Sequence, residues 1–315
     1  MRGNCCELND HSDRRNSHSF TFKFAGILLV TFVAAASGGC TRSSVPAGQV
    51  EVQPTTIINL EEPAPTYVPF TTEGTYAVMM VPEDEVLVIR NPAGAAGSEV
   101  ATLEYDDTGL LLTGNSTALG SSTWIEVDLG REQTGWVNAT NLTESVSREV
   151  FCADVRSLEL LNTILLAFSN QDGSLLAQVT NPRRGLLVRN EWWNRELEFK
   201  PDMISGLFSD RNEYEWGEQA GGRFEVKGTF STVVANQIEE VVSQEPELSC
   251  GEIQTGVSSI TPTWPTAYFN LNYYMIFKPA PVGGNPYGWR AWGIGMEYVQ
   301  GIPYLTVLVH FHGDV

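Results

Sequence analysis

The C-terminal end of the chain constrains its fold most. AYFNLNYYMIFKPA, GWRAWGIGMEYV and IPYLTVLVHFH are strand-like runs rich in Val, Ile, Leu and aromatic side chains. Only Gln300-Gly301 separates the last two, and a link that short joins antiparallel neighbours in a hairpin. The three runs therefore predict a meander that must bury a face against other elements. Upstream segments supply the cover. CADVRSLELLNTILLAF sets Val155, Leu158, Leu161, Ile164, Leu165 and Phe168 at helical spacing and predicts about four turns of helix. KPDMISGLFSD opens with Pro at a first helical position and predicts a short helix. STVVANQIEEVVSQ offers Ser231 as an N-cap, with Val233, Val234, Ile238, Val241 and Val242 on one side. SLLAQVTNPRRGLLVRNEWW reads as a hairpin turning at NPRRG. Residues 150–315 are thus expected to form an α+β domain with helices packed on an antiparallel sheet.

Residues 74–143 differ in character. TYAVMMV, EVLVIR, EVATLEY, TGLLLTG, TWIEVDL and TGWVNAT are short β-prone runs, punctuated by Gly, Pro, Asn and Asp about every ten residues. That rhythm predicts a small all-β barrel. LVIRNPAG (Leu87 to Gly94), WIEV (Trp124 to Val127) and GWV (Gly135 to Val137) follow one another in the order and spacing of the bacterial SH3 (SH3b) family, which the segment resembles. The resemblance implies an SH3b-like barrel and matches Arg90, Trp124 and Trp136 to family positions. It departs at Asn91-Pro92-Ala93 and in the acidic EYDDTG. A barrel this small has few large apolar groups, so both tryptophans are expected to serve its core. The chain is accordingly expected to be multi-domain, a barrel followed by the α+β domain.

The N-terminus speaks to compartment. Arg2, Arg14, Arg15 and Lys23 precede an uncharged apolar stretch, Phe24 to Gly39, shorter than the ~20 residues a membrane-spanning helix needs. Basic, apolar and small residues in that order describe a signal peptide, here residues 1–39. Ser37-Gly38-Gly39-Cys40 resembles the lipobox of bacterial lipoproteins, although Ser37 stands where a Leu-like residue is usual. The resemblance implies acylation of Cys40, palmitate included, and a membrane-held protein facing away from the cytoplasm. Cleavage after Ala36, giving a secreted protein, and an uncleaved anchor are the alternatives. Residues 40–73 then form a linker with five prolines between Thr41 and Glu73, which reads as extended chain. Residues 1–39 carry four basic and three acidic groups, so the remaining chain holds −20 of a total −19. Such acidity repels phosphate backbones and disfavours nucleic acid as a partner. With the leader gone and Cys40 on the anchor, Cys152 and Cys250 remain, and outside the cytoplasm an even remainder reads as one disulfide.

Candidate sites centre on aromatics. Six of the eight tryptophans lie beyond residue 150. Adjacent residues on a strand face opposite ways, so Trp192 and Trp193 cannot both enter one core. Trp192, Trp193, Trp289 and Trp292 are therefore the candidate ligand contacts, for peptidoglycan or an envelope protein. His310 and His312 share a strand face and suit zinc or copper, but the sequence selects no third ligand, so neither metal nor cofactor is expected. Cys152 with His310 suggests a thiol hydrolase, yet FCADV lacks the flanking residues of cell-wall thiol peptidases, and Cys250 is a simpler partner. No catalytic residue is assigned. The expectation is a non-enzymatic binding module, with a wall-active hydrolase or a structural subunit as alternatives.

Overall fold

A computed structural model describes residues 69–219 and 224–313. The expected signal peptide (residues 1–39), Cys40 and the expected linker as far as residue 68 lie outside the described residues. Among the described residues no helix is long and apolar enough to cross a membrane.

Seven strands open the described chain: β1 (Tyr76–Val78), β2 (Leu87–Asn91), β3 (Ser98–Leu103), β4 (Leu111–Leu119), β5 (Ser122–Gly130), β6 (Gln133–Asn138) and β7 (Leu142–Glu144). Five make a sheet in the order β3-β2-β6-β5-β4, while β1 and β7 pair separately. The expected barrel does not close, because edge strands β3 and β4 are not hydrogen-bonded to each other. Ile89, Ile125, Val127, Val137 and Leu142, with Tyr76 and Val78 of the ribbon, fill its core. Trp124 is buried and Trp136 half-buried, and Arg90 Nη1 donates to the Gly97 carbonyl at 2.9 Å.

The chain then enters α1 (Arg148–Ala153) and α2 (Val155–Asn170). Asp154 caps α2 by accepting from the Arg156 amide at 3.0 Å. The helix buries Leu161, Ile164, Ala167 and Phe168, and leaves Val155 exposed at its start. The expected SLLAQV strand is instead a helix, α3 (Gly173–Val179). Asp172 accepts from the Leu175 amide at 2.9 Å and satisfies the first turn, which decides a short apolar run that periodicity leaves ambiguous. Gly173 is required here: a Cβ would come within 2.1 Å of the Ser205 carbonyl oxygen in the 3-10 helix Pro201–Ser209. NPRRG is therefore a loop from α3 into β8 (Leu186–Arg189) rather than a hairpin turn between strands.

After β9 (Leu197–Phe199), β10 (Tyr214–Glu218) and β11 (Glu225–Gly228) pair as a ribbon. A π-helical turn, Ser231–Ala235, runs into α4 (Asn236–Val242). Ser231 lies inside this first turn and is not its cap; Thr229 Oγ1 accepts from the Thr232 amide at 3.2 Å instead. The remaining strands are β12 (Glu247–Cys250), β13 (Asn272–Lys278), β14 (Arg290–Val299) and β15 (Ile302–His312).

The meander forms as expected, with Gln300 and Gly301 both at positive φ in the β14–β15 turn. It belongs to a six-stranded sheet in the order β12-β13-β14-β15-β8-β9. The sheet is mixed rather than purely antiparallel, since β8 runs parallel to β15. Helices cover one face, where Leu161, Phe168, Phe230, Ile238 and Trp292 share a core with Ile294 and Leu308. The other face is covered too, by Tyr268, Leu271, Trp264 and Met79, which explains why β14 and β15 are apolar nearly throughout. Gly293 allows this cover, because a Cβ there would meet the Trp264 ring at 2.5 Å.

The two sheets fall within one compact unit by their contacts. Arg184 and Glu297 lock them together. Arg184 Nε donates to Glu297 Oε2 at 3.0 Å, and its Nη1 and Nη2 donate to the Thr140 and Leu142 carbonyls at 2.7 and 3.3 Å. Asn181 Nδ2 donates to the same carboxylate at 2.8 Å and to Thr306 Oγ1, at the bulge of β15, at 3.2 Å. Asn270 Nδ2 donates across to the Val78 carbonyl, and the Gly301 amide donates to Glu144 Oε2. Cys152 and Cys250 are disulfide-bonded, with Cα atoms 5.9 Å apart, and tie α1 to edge strand β12.

Candidate functional site

The four candidate tryptophans divide into two pairs. Trp289 and Trp292 are fully buried on opposite faces of the sheet, so neither presents a face to solvent. Their burial follows from cover the sequence does not announce: Trp289 Nε1 donates to the Val257 carbonyl at 2.7 Å, and α4 packs in the same core as Trp292. Trp192 and Trp193 lie in the turn between β8 and β9, not on a strand. Their rings meet edge to face at 5.4 Å, Trp193 is 37 % exposed, and Trp192 is half-buried against the core that holds Met79 and Tyr268.

A cleft of about 300 Å³ opens beside this turn. Trp192, Trp193 and Arg189 form one side, Thr263 with Pro265, Thr266 and Ala267 another, and Pro82 contributes from the segment between β1 and β2. Arg189 is held in place: Nη2 donates to Glu196 Oε2 at 2.7 Å, Nε donates to the Tyr268 hydroxyl at 3.3 Å, and its guanidinium stacks over the Tyr268 ring. Among the described residues neither the Trp192 nor the Trp193 indole N–H has a protein partner.

The turn rests on a polar floor. The Asn194 amide donates to the Glu191 carbonyl at 2.9 Å, and Asn194 Nδ2 donates to the Trp216 and Glu218 carbonyls. Glu191 is buried, and its Oε1 accepts from His312 Nε2 at 2.9 Å. His312 Nδ1 lies 2.8 Å from the Gly313 carbonyl, an acceptor only, so both ring nitrogens are placed to donate. Burial alone would lower the His312 pKa, but the bond to Glu191 and its charge outweigh this and raise it. Trp193 packs edge to face on that imidazole at 6.3 Å.

His310 and His312 share a face, as the alternation predicts, with rings stacked at 5.4 Å. No group of three or more His, Cys, Asp or Glu placed to hold a metal occurs among the described residues. Cys152, bonded to Cys250, has no free thiol to act as a nucleophile with His310. Sequence reasoning missed Arg189, Pro82 and the wall of Thr263, Pro265, Thr266 and Ala267, which only tertiary structure brings to the tryptophans. It also missed Glu191, whose buried carboxylate beside the Trp pair was a readable hint. No protein-family model, curated protein or solved structure matches the chain, so the chemistry of the cleft has to be taken from its geometry.

Proposed function

We propose that this chain is a lipid-anchored protein of the bacterial cell envelope that binds wall polymer or an envelope partner at the Trp192–Trp193 cleft, without catalysis. One observation carries the reading: two indoles with unpartnered N–H groups line a cleft whose charged side chain, Arg189, is already committed to Glu196. Indole faces offer large apolar area with little entropy to lose, and their N–H groups add donors at the edge. Groups tied into ion pairs are suited to orienting a ligand more than to moving its protons. The Cys152–Cys250 disulfide is consistent with an oxidising compartment, and the signal-like N-terminus and the resemblance of residues 74–143 to SH3b domains favour an envelope setting.

The test is retention on purified peptidoglycan, run beside a turnover assay on the same material. Trp192→Ala and Trp193→Ala should melt within a few degrees of wild type and lose most retention. Cleavage of the wall would favour the hydrolase reading, and neither binding nor cleavage the structural subunit. If both variants keep full retention, the cleft is not the contact surface.

A further inference from the structure

Behind the tryptophan turn, three buried polar atoms have no partner among the described residues: Trp292 Nε1, His310 Nε2 and Gln237 Oε1. They come from three elements, β14, β15 and α4; His310 and Gln237 both bond to Asn190 at the base of the turn, and Trp292 packs against His310. His310 Nδ1 lies 2.9 Å from the Asn190 backbone oxygen, and Gln237 Nε2 donates to Asn190 Oδ1 at 3.3 Å. Trp292 and His310 are cross-strand partners with ring centroids 4.9 Å apart.

Their protonation can be worked out atom by atom. A carbonyl only accepts, so His310 Nδ1 carries the hydrogen. Burial, with the nearby His312 and Arg290 charges, keeps His310 neutral. Its Nε2 is therefore a bare lone pair. Gln237 directs its N–H toward Asn190, which leaves its oxygen as a second acceptor. Trp292 Nε1 supplies one donor. The two rings are inclined by 32° with centroids 4.9 Å apart, and the Trp292 N–H and the His310 lone pair do not bond each other. One donor and two acceptors remain, and whatever joins them must accept once and donate twice. A cation is opposed by the indole N–H and an anion by the two lone pairs. Water fits, with the three bonds typical of a buried molecule, and it bridges groups roughly 5–6 Å apart, twice a hydrogen-bond length.

We propose that Trp292, His310 and Gln237 form an internal water site that fastens α4 to β14 and β15 beneath the Trp192–Trp193 turn. The site holds Asn190, and through it the buried Glu191 that His312 grips, so the water completes the floor on which the cleft is built.

The experiment is NMR on the ¹⁵N-labelled intact protein, which needs no ligand and does not depend on the wall-binding proposal. The Trp292 indole proton should show cross-relaxation to water with the sign of a long-lived bound molecule, and His310 should be neutral with Nδ1 protonated and Nε2 bare. Gln237→Met, which removes one acceptor, should shorten the water's residence time by tenfold or more while leaving the His310 tautomer unchanged. A Trp292 indole proton without water contact, a hydrogen on His310 Nε2, or a residence time unchanged in Gln237→Met would each overturn the proposal. Wild-type spectra alone decide the first two, so a variant that fails to fold does not shelter the idea.

Discussion

Replacing Arg184 by Met should split the cost of the inter-sheet lock into separable parts. Arg184 and Glu297 expose only 9 % and 2 % of their side chains, so the pair lies in a setting where a lone charge is expensive. Met keeps the length of the arginine stem but removes the guanidinium, leaving the Glu297 carboxylate with Asn181 Nδ2 as its remaining neutral donor. Breaking one partner of such a pair typically costs ~3–5 kcal/mol. The Thr140 and Leu142 carbonyls also lose a donor. Thr140 is exposed and can turn to water, so the total should stay near the middle of that range, about 4 kcal/mol. Arg184→Met combined with Glu297→Gln removes the stranded charge as well, and should recover about half of the loss. Urea unfolding followed by tryptophan fluorescence and far-ultraviolet circular dichroism gives both numbers in a double-mutant cycle. A single variant costing less than about 1 kcal/mol, or a double variant no better than the single, would show that the charges are solvated and that the lock is not electrostatic.

Trp289→Ala should lower stability by ~3–5 kcal/mol, as an emptied core site does, and the melting temperature reads this directly. Reducing the Cys152–Cys250 bridge should cost up to ~4–5 kcal/mol in the chain-entropy model, and mass mapping without reduction should recover the two peptides linked. Two alkylatable thiols in oxidised protein would contradict this. His312 has a folded pKa raised above its usual 6.5, so its stabilisation is complete below that value and fades as pH rises through the folded pKa. The stability gap between wild type and His312→Gln should therefore be widest in mildly acid buffer and narrow on the alkaline side; a gap that widens with pH would reverse the assignment. Cys40→Ser should shift the expressed protein from detergent to aqueous phase, and identical partitioning of the two forms would argue against a lipid anchor.

Features governed by neighbouring residues were legible in the sequence. The Gln300-Gly301 link specifies the β14–β15 hairpin because two residues leave no other geometry. The spacing from Leu161 to Phe168 specifies the buried stripe of α2. Features governed by distant residues were not legible. Nothing near Leu186–Arg189 states that this strand will lie parallel to β15, since its partner is more than a hundred residues away. SLLAQV carries apolar residues that suit either state, and the Asp172 cap, readable but unweighted, tips it to helix. The Trp192–Trp193 dipeptide was expected to split across a strand but lies in a turn, where Trp193 is exposed, and Trp289 and Trp292 look equally free until their cover is seen. The inter-sheet lock was hidden for the same reason: Arg184 reads as one of two turn arginines, and Glu297 as a polar interruption in an apolar strand.

The position of β15 sets the order in which the molecule can be completed. It is an interior strand, between β14 and β8, yet it follows every other described strand in chain order. Until it is available, β12-β13-β14 and β8-β9 are two fragments, each with an open edge facing the missing strand. Open edges of this kind recruit other chains, so the chain is most exposed to aggregation until β15 has paired. Joining the fragments also requires pairing β15 with a segment over a hundred residues earlier, a slow closure by comparison with a local hairpin. A chain lacking this strand would keep β12-β13-β14 and β8-β9 as separate pieces with no shared sheet. Keeping β8 and β14 from pairing elsewhere until β15 reaches them is therefore a demand that this topology places on whatever escorts the chain.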